Sequence, residues 1–186
     1  MPQGSLTPTE FVALTNSIKA RIVELIEKEL IPGGAPQQGD RLPVVKKRII
    51  VDRLPDNWAA KLKSPRHVVG GEPKVHAIMV GFGGIEDYAD RTTRSVAWRL
   101  RFLMRHYLYD FIGNDQDNAE LLQAAEVFAV AHRLMTTRPF GVGFVNRIVQ
   151  FRERRGLARM GEILVRESLC EMIFDLDPIS IPVPQP

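Results

Sequence analysis

Cysteine is almost absent from this 186-residue chain, since Cys170 has no second cysteine with which to form an internal disulfide. A lone cysteine indicates assembly in a reducing compartment. No apolar run reaches the roughly 18 residues of a membrane-spanning helix. The first residues also lack the basic and then apolar order of a signal peptide. We therefore expect neither a membrane protein nor a secreted one.

Metal-binding and catalytic motifs are scarce as well. The chain has four histidines, His67, His76, His106 and His132, and none lies three or four residues from another. That spacing argues against a helical metal pair, and a single cysteine argues against a thiolate cluster. His106, His132 and Cys170 fall on or near the apolar sides of their segments, which predicts partly buried, structural roles. We expect no metal site and no cofactor.

Two short motifs resemble ligand-binding loops without completing them. Residues 81–84 (Gly-Phe-Gly-Gly) lack the lysine and hydroxyl residue of a phosphate-binding loop and the third spaced glycine of a dinucleotide site. We expect them to end a strand and lead into a loop. Residues 115–120 begin like a calcium loop but carry Glu120 where the loop requires glycine. No catalytic constellation is complete, so the sequence predicts a protein that is not an enzyme.

Positive charge is nearly balanced overall, with 25 basic and 22 acidic residues, but it is concentrated in two blocks. Residues 41–67 carry eight basic and two acidic groups, and residues 138–159 carry six and one. Such blocks are either a solvated surface or a surface that faces DNA or another acidic partner.

The N-terminal helix is predicted by its cap and its periodicity. Residues 7–10 (Thr-Pro-Thr-Glu) form a capping box with proline at the first helical position. Apolar residues then recur every three or four positions to Ile26, and Pro32 and the glycines after it stop the helix. The pattern predicts a helix over residues 8–30.

The rest of the chain alternates between strand and helix patterns. Residues 75–82, 96–108, 144–151 and 163–176 are predicted strands, and residues 44–51 are compatible with a further strand. Residues 115–137 are a predicted helix, and residues 83–94 and 152–156 a predicted loop and turn. The helix has an apolar face that we expect in the core: Leu121, Leu122, Ala125, Phe128, Ala129 and Met135.

This order of elements predicts one α+β domain spanning residues 1–186. We expect an antiparallel, or mixed, sheet of about four strands with the helices packed on one face. Residues 32–74 are an irregular excursion and residues 178–186 an extended proline-rich tail. Together with residues 83–94 they are candidate arms that contact neighbouring subunits.

Opposite charges on two of the strands predict pairing across the sheet. Arg99, Arg101 and Arg105 share one side of strand 96–108, while Glu167, Glu171 and Asp175 share one side of the last strand. If these strands are neighbours, the charges help to set their register.

The basic residues are the candidate functional residues. Lys46, Lys47 and Arg48 interrupt an apolar strand, and a second group with Arg147 clusters around the predicted turn at residues 152–156. With little aromatic content between them, they suit contact with a phosphate backbone without sequence reading. The residues expected to face DNA or a lumen are Lys46, Lys47, Arg48, Arg152, Arg154, Arg155 and Arg159.

The order of elements resembles the tail-terminator and neck proteins of tailed bacteriophages. The resemblance rests on the capped helix 8–30, the strand that ends at residues 80–84, the long strand 96–108 followed by helix 115–137, and the final hairpin that closes with residues 167–176. It covers about three quarters of the chain as an order of elements, and no functional residue is carried over from the family.

The resemblance implies a virion structural protein that forms a ring, expected to be a hexamer, which caps the tail tube and joins it to the head connector. Its partners would be its own copies, the tube and connector proteins, and DNA that passes without being read; assembly would take place in the host cytoplasm. The alternatives are another connector adaptor or tail-tube protein, a basic DNA-binding accessory protein, or an unrecognised enzyme.

Overall fold

Two helices and seven strands make up the described part of the protein. The structure, a computed structural model, describes residues 6–30, 48–51, 68–69, 72–73, 75–89, 96–109, 116–143, 145–160 and 163–176. The elements are α1 (Pro8–Leu30), β1 (Arg48–Val51), β2 (Val68–Val69), β3 (Glu72–Pro73), β4 (Val75–Ala89), β5 (Val96–Tyr109), α2 (Gln116–Thr136), β6 (Val145–Met160) and β7 (Ile163–Leu176).

Helix α1 begins at the predicted capping box. The Thr7 amide donates to Glu10 Oε2 at 2.7 Å, and the Glu10 amide donates to Thr7 Oγ1 at 3.3 Å. These two bonds satisfy backbone donors that a helix start otherwise leaves open. The apolar residues of α1 that repeat every three to four positions are buried against the sheet: Leu14, Ile18, Ile22, Leu25 and Ile26. The prediction for this helix is confirmed.

A five-stranded sheet in the order β1-β4-β5-β7-β6 forms the centre of the fold. Strands β4, β5, β7 and β6 pair antiparallel, and the short β1 joins β4 in parallel at one edge. Both helices pack on the same side of this sheet. The predicted α+β class, with a mixed sheet built on four antiparallel strands and helices on one face, is confirmed.

Strand β4 is longer than predicted because residues 81–84 do not end it. The chain continues to Ala89 through a bulge between Phe82 and Gly84. A Cβ at Gly83 would lie 2.9 Å from Leu103 Cγ, and Gly84 has φ +134°, so both positions require glycine. The expected loop at residues 83–94 is therefore wrong for residues 83–89, while residues 90–94 lie outside the described part.

Strand β6 is also longer than predicted. Residues 152–156 continue its pairing with β7, and the register runs from Val145–Leu176 to Met160–Ile163 with two irregularities near the start. The predicted turn at residues 152–156 is wrong. An edge strand accommodates arginine and glutamate side chains, because one or both of its faces are in contact with water. A run of charged residues therefore does not by itself indicate a turn.

A series of aromatic contacts crosses the core from Phe11 on α1 to Phe140, four residues after the end of α2. The ring of Phe11 meets Phe82, Phe82 meets Phe102, Phe102 meets Phe174, and Phe174 meets Phe140, with centroid distances between 5.1 and 6.1 Å. All four pairs are edge-to-face, the arrangement that aromatic quadrupoles favour. Phe140 follows α2, so this contact fixes the segment between α2 and β6 on the sheet.

The predicted excursion at residues 32–74 contains three short strands, β1, β2 and β3, of which β2 and β3 pair with each other. Its remaining residues, and the predicted tail at residues 178–186, lie outside the described residues. Neither described helix is long and apolar enough to cross a membrane.

Candidate interaction surface

The predicted basic residues do not form one cluster. Lys46 and Lys47 lie outside the described residues, and Arg48 is the first residue of strand β1. Register places Arg152 and Arg154 opposite Glu171 and Leu169, on the sheet face away from the helices. Arg155 and Arg159 are opposite Ser168 and Leu164, on the helix side. The arginines therefore line both faces of β6 instead of surrounding a turn.

Two of the β6 arginines bind neighbours on their own strand. Arg155 donates from Nε to Glu153 Oε1 at 2.7 Å, and this bond, assisted by Ser168, lowers the pKa of Glu153 while burial opposes the shift. With its amide oxygen turned toward Arg152, Gln150 accepts from Nε of that residue at 2.7 Å. These local bonds hold the guanidinium groups along an edge strand that, among the described residues, pairs only with β7.

The predicted charge pairing across the sheet is present. Arg99 donates to Asp175 Oδ1 at 2.7 Å, and Asp175 is the residue directly opposite Arg99 on β7. Arg105 Nη1 lies 3.6 Å from Glu167 Oε1. Arg101 bonds the carbonyl oxygen of Gly83 in the β4 bulge. All three arginines of β5 therefore contact groups within the sheet, and opposed charges at this exposure contribute modestly to stability.

A buried polar group lies beneath α2. His106 Nε2 is 2.7 Å from Glu126 Oε2, and the amide nitrogen of Gln123 is 3.2 Å from His106 Nδ1. Because the amide is a donor, Nδ1 accepts, so Nε2 carries the proton and donates to the carboxylate. His106 is 1% exposed, and the predicted structural role for it is consistent with this closed arrangement. The group is packed without access for a substrate.

Cys170 is buried next to the same strands. Burial raises the pKa of its thiol to about 12, against the weaker lowering effect of the Ser168 hydroxyl 3.6 Å away. A thiol in such surroundings is not a nucleophile at neutral pH. The expectation of a buried, structural cysteine agrees with its position.

Helix α2 differs from its prediction because it buries a different face. Its inward residues are Gln123, Glu126, Val127, Val130 and Leu134. The face expected in the core contributes Leu121, Ala125, Phe128 and Met135 to the surface, and Phe128 is 72% exposed. At about 100° per residue these four side chains fall within roughly 80° of arc, directly away from the sheet. We call them the helix patch.

The helix patch has almost no charge within it. Between Glu120 and Arg133 the chain carries a single charged residue, Glu126, and that residue is buried. His132, which we expected to be partly buried, is exposed, and its ring stacks on Phe128 with centroids 6.4 Å apart. Depletion of charge together with exposed Phe, Leu and Met is typical of the centre of a protein–protein interface.

A second apolar surface lies at the start of α1 and along the bulged part of β4. Val12, Phe82 and Ile85 are exposed there, and Phe11 links the helix to the strand through its contact with Phe82. We call Val12, Phe82 and Ile85 the strand patch. Glu10 in the capping box lies two residues before Val12, and the Thr7 amide lowers the pKa of its carboxyl. Glu86, next to Ile85 in sequence, lies on the other face of the sheet, 3.4 Å from Arg101.

The helix patch was missed because the periodicity of α2 is ambiguous. The helix carries apolar residues on two opposite faces, so a pattern search finds either face. The signal available in the sequence is the low charge from Leu121 to His132. A helix that packs on a sheet by one face usually carries charges on the other, and the outer face of this helix has none between Leu121 and His132.

Within the described residues, no group of three metal-ligating side chains is gathered at one place. Comparison with known proteins adds no assignment, because no family model and no curated protein matches this chain. The exposed apolar patches and the basic edge strand are thus the features of the described surface that bear on function.

Proposed function

We propose that this protein is a structural subunit of the tail of a bacteriophage, a tail-terminator or neck protein that forms a ring between the tail tube and the head connector. The observation that carries the proposal is the uncharged outer face of α2. An exposed apolar face without charge on a small α+β domain is typical of a protein that assembles with others.

The fold supports the proposal in a second way. The order of a capped helix, long antiparallel strands, a second helix and a final hairpin is the order that resembles the terminator and neck proteins. A ring subunit needs two different surfaces that fit each other, and it needs no reactive groups. The closed packing of His106 and Cys170 agrees with that requirement.

Passive contact with DNA would fall to β6. Its arginines lie on an edge strand, and Arg154 is exposed on the face away from the helices. Copies around a ring would repeat this charge at every subunit and attract a phosphate backbone regardless of its sequence.

Particle composition tests the proposal most directly. Purified virions of the phage that encodes this chain should contain a few copies of it at the neck, and particles assembled without it should show overlong tails or tails that do not join heads. The purified protein should form rings in negative-stain electron micrographs. A protein that is absent from particles and strictly monomeric contradicts the proposal.

A DNA-binding accessory protein is the second candidate, and the arginines of β6 favour it. A gel shift at low and high salt separates the two candidates. Tight binding of the monomer that weakens about 1,000-fold or more between 50 and 200 mM salt indicates six or more phosphate contacts. No shift at low salt removes this candidate.

A further inference from the structure

The buried polar group beneath α2 joins the helix to the sheet through a histidine. We infer that this attachment is sensitive to pH, because the side-chain amide of Gln123 binds the sheet in its present orientation only while His106 is uncharged. Both side chains are buried, so solvent does not replace a hydrogen bond that either of them loses. The inference does not depend on the proposed function.

Two backbone carbonyls set the orientation of the Gln123 amide. Its nitrogen donates to the carbonyl oxygen of His106 at 3.0 Å and to that of Arg166 at 3.4 Å. The amide oxygen would face two acceptors at this place, so the nitrogen is required there. The same nitrogen lies 3.2 Å from His106 Nδ1, which therefore accepts. Through this one side chain α2 is attached to both β5 and β7.

A second proton on the His106 ring is incompatible with this arrangement. An imidazolium carries donors on both ring nitrogens, so Nδ1 would direct an N–H at the amide nitrogen of Gln123, which is also a donor. The amide then has to turn over, so that its oxygen accepts from Nδ1. The turned amide no longer donates to the carbonyl oxygens of His106 and Arg166, and the attachment of Gln123 to the two strands is lost.

Glu126 responds to the same proton in the opposite way. Its carboxylate already accepts from His106 Nε2 at 2.7 Å, and a positive ring strengthens a hydrogen bond to a carboxylate. Helix α2 therefore keeps its contact with His106 at Glu126 while it loses the contact at Gln123, three residues earlier. The effect is confined to the first turns of α2 and does not release the helix as a whole.

Uncharged side chains face His106 from the two neighbouring strands. Ile78 on β4 and Ser168 on β7 are its partners in the register, and neither titrates. Cys170 follows two residues after Ser168, and burial raises the pKa of its thiol to about 12, so it stays neutral.

The charged groups around His106 keep their charge in the range where histidine titrates. Glu153 on β6 is close enough to His106 for their charges to interact, and the bond from Arg155 holds the pKa of Glu153 below its usual 4.5. On α1, Glu29 pairs with Arg133, about two turns beyond Glu126. Histidine is the residue type of this group whose charge changes between pH 5 and pH 8.

Hydrogen exchange of the α2 amides tests the inference in the full chain. Exchange is measured at pH 5 and pH 7.5, corrected for the intrinsic effect of pH, at a protein concentration that gives the same oligomeric state at both. We expect the opening of residues 120–124 to increase about tenfold at pH 5, as for one net hydrogen bond lost. The opening of residues 127–134 should stay unchanged.

Two variants and a control assign the effect to the proposed pair. Gln123→Met has no donor to lose, so its exchange over residues 120–124 should be the same at both pH values. His106→Gln has no ring to titrate and should behave likewise, should Gln123→Met fail to fold. His132→Gln removes the exposed histidine of the same helix and should keep the pH dependence of wild type. Circular dichroism checks that each variant is folded.

Four results overturn the inference. The first is wild-type exchange over residues 120–124 that does not change between the two pH values. The second is an equal increase along the whole of α2, which indicates general acid destabilisation. The third is a pH dependence that persists in the folded variants at Gln123 and His106, or that disappears in His132→Gln. The fourth is a proton on Nδ1 of His106 at pH 7.5 in nitrogen-15 NMR of the ring, because the inference requires it on Nε2.

Discussion

Helices α1 and α2 lie side by side on the same sheet but differ in what they present to solvent. The outer face of α1 carries polar and charged residues along its length, as in Asn16, Ser17, Glu27 and Lys28, together with the apolar Val12, Ala13 and Ala20. Between Leu121 and His132 the exposed residues of α2 carry no charge, and its charged Glu126 points inward. An ion pair joins the two helices, with Arg133 Nε 3.0 Å from Glu29 Oε2.

The difference indicates which surface the proposed assembly would bury. A helix whose outer face is polar has its packing completed by the sheet. A helix with an apolar outer face still exposes surface whose burial is favourable, at about 25 cal/mol per Å² of apolar area. Helix α1 and the inner face of α2 therefore complete the fold, and the outer face of α2 is the surface that the proposed assembly would bury.

The largest expected effect is a difference in stability between substitutions at two adjacent residues that lie on opposite faces of α2. Leu134→Ala should lower the free energy of unfolding of the monomer by about 2–5 kcal/mol, because Leu134 is buried and its removal leaves a cavity. Met135→Ala is the matched control and should change it by less than about 0.5 kcal/mol. Urea unfolding followed by circular dichroism, at a protein concentration low enough to avoid association, measures both. Equal losses would mean that the two faces are not distinct.

The next effect concerns the polar part of the inner face. Glu126→Ala removes the carboxylate that accepts from His106 Nε2. It should cost about 1–3 kcal/mol of stability, the range for a buried donor that loses its acceptor. Glu126→Gln keeps an oxygen acceptor at this place and should recover most of the loss. If glutamine is as destabilising as alanine, the hydrogen bond is not the source of the effect.

A smaller effect tests how far α1 depends on its own cap. Thr7→Ala removes the hydroxyl that accepts from the Glu10 amide and should lower stability by about 1 kcal/mol. Thr7→Ser keeps that acceptor and should remain close to wild type. Thermal unfolding of the three proteins measures the difference, and a serine variant as unstable as the alanine variant would point to the lost methyl group instead.

The smallest effect is a dependence of stability on pH. The pKa of Glu153 is lowered from 4.5, first by the bond from Arg155 and then by Ser168. A lowered carboxyl pKa contributes stability above the unfolded-state value and loses it as the pH falls through the folded-state value. Stability should therefore decline below pH 4.5, and less so in Glu153→Gln. Urea midpoints from pH 7 to pH 3 measure this, and identical profiles for the two proteins would contradict it.

Local signals were enough to predict much of the fold. The capping box located the start of α1, period-two alternation located β5 and β7, and their opposed charges anticipated the pair between Arg99 and Asp175. These features depend on neighbours in sequence or on adjacent strands. The class of the fold follows from the order of such elements.

Strand ends and the buried face of α2 were not predictable in this way. Glycines at 83 and 84 indicate either the end of a strand or a bulge within one, and the choice depends on whether β5 continues alongside. The charged residues 152–156 likewise became strand because β7 supplies a partner along its whole length. Pairing partners distant in sequence decided both cases.

The sequence by itself determined where the helices form, which residues alternate across β5 and β7, and that charge is low along α2, because these depend on residue types and their spacing. Only the tertiary structure decided which apolar face of α2 meets the sheet and that the β6 arginines divide between two faces. The reason is that a helix with two apolar faces gains similar burial from either, and the choice depends on the shape and polar groups of the sheet, where His106 requires Glu126. The face left outside is the one that the proposed assembly would bury.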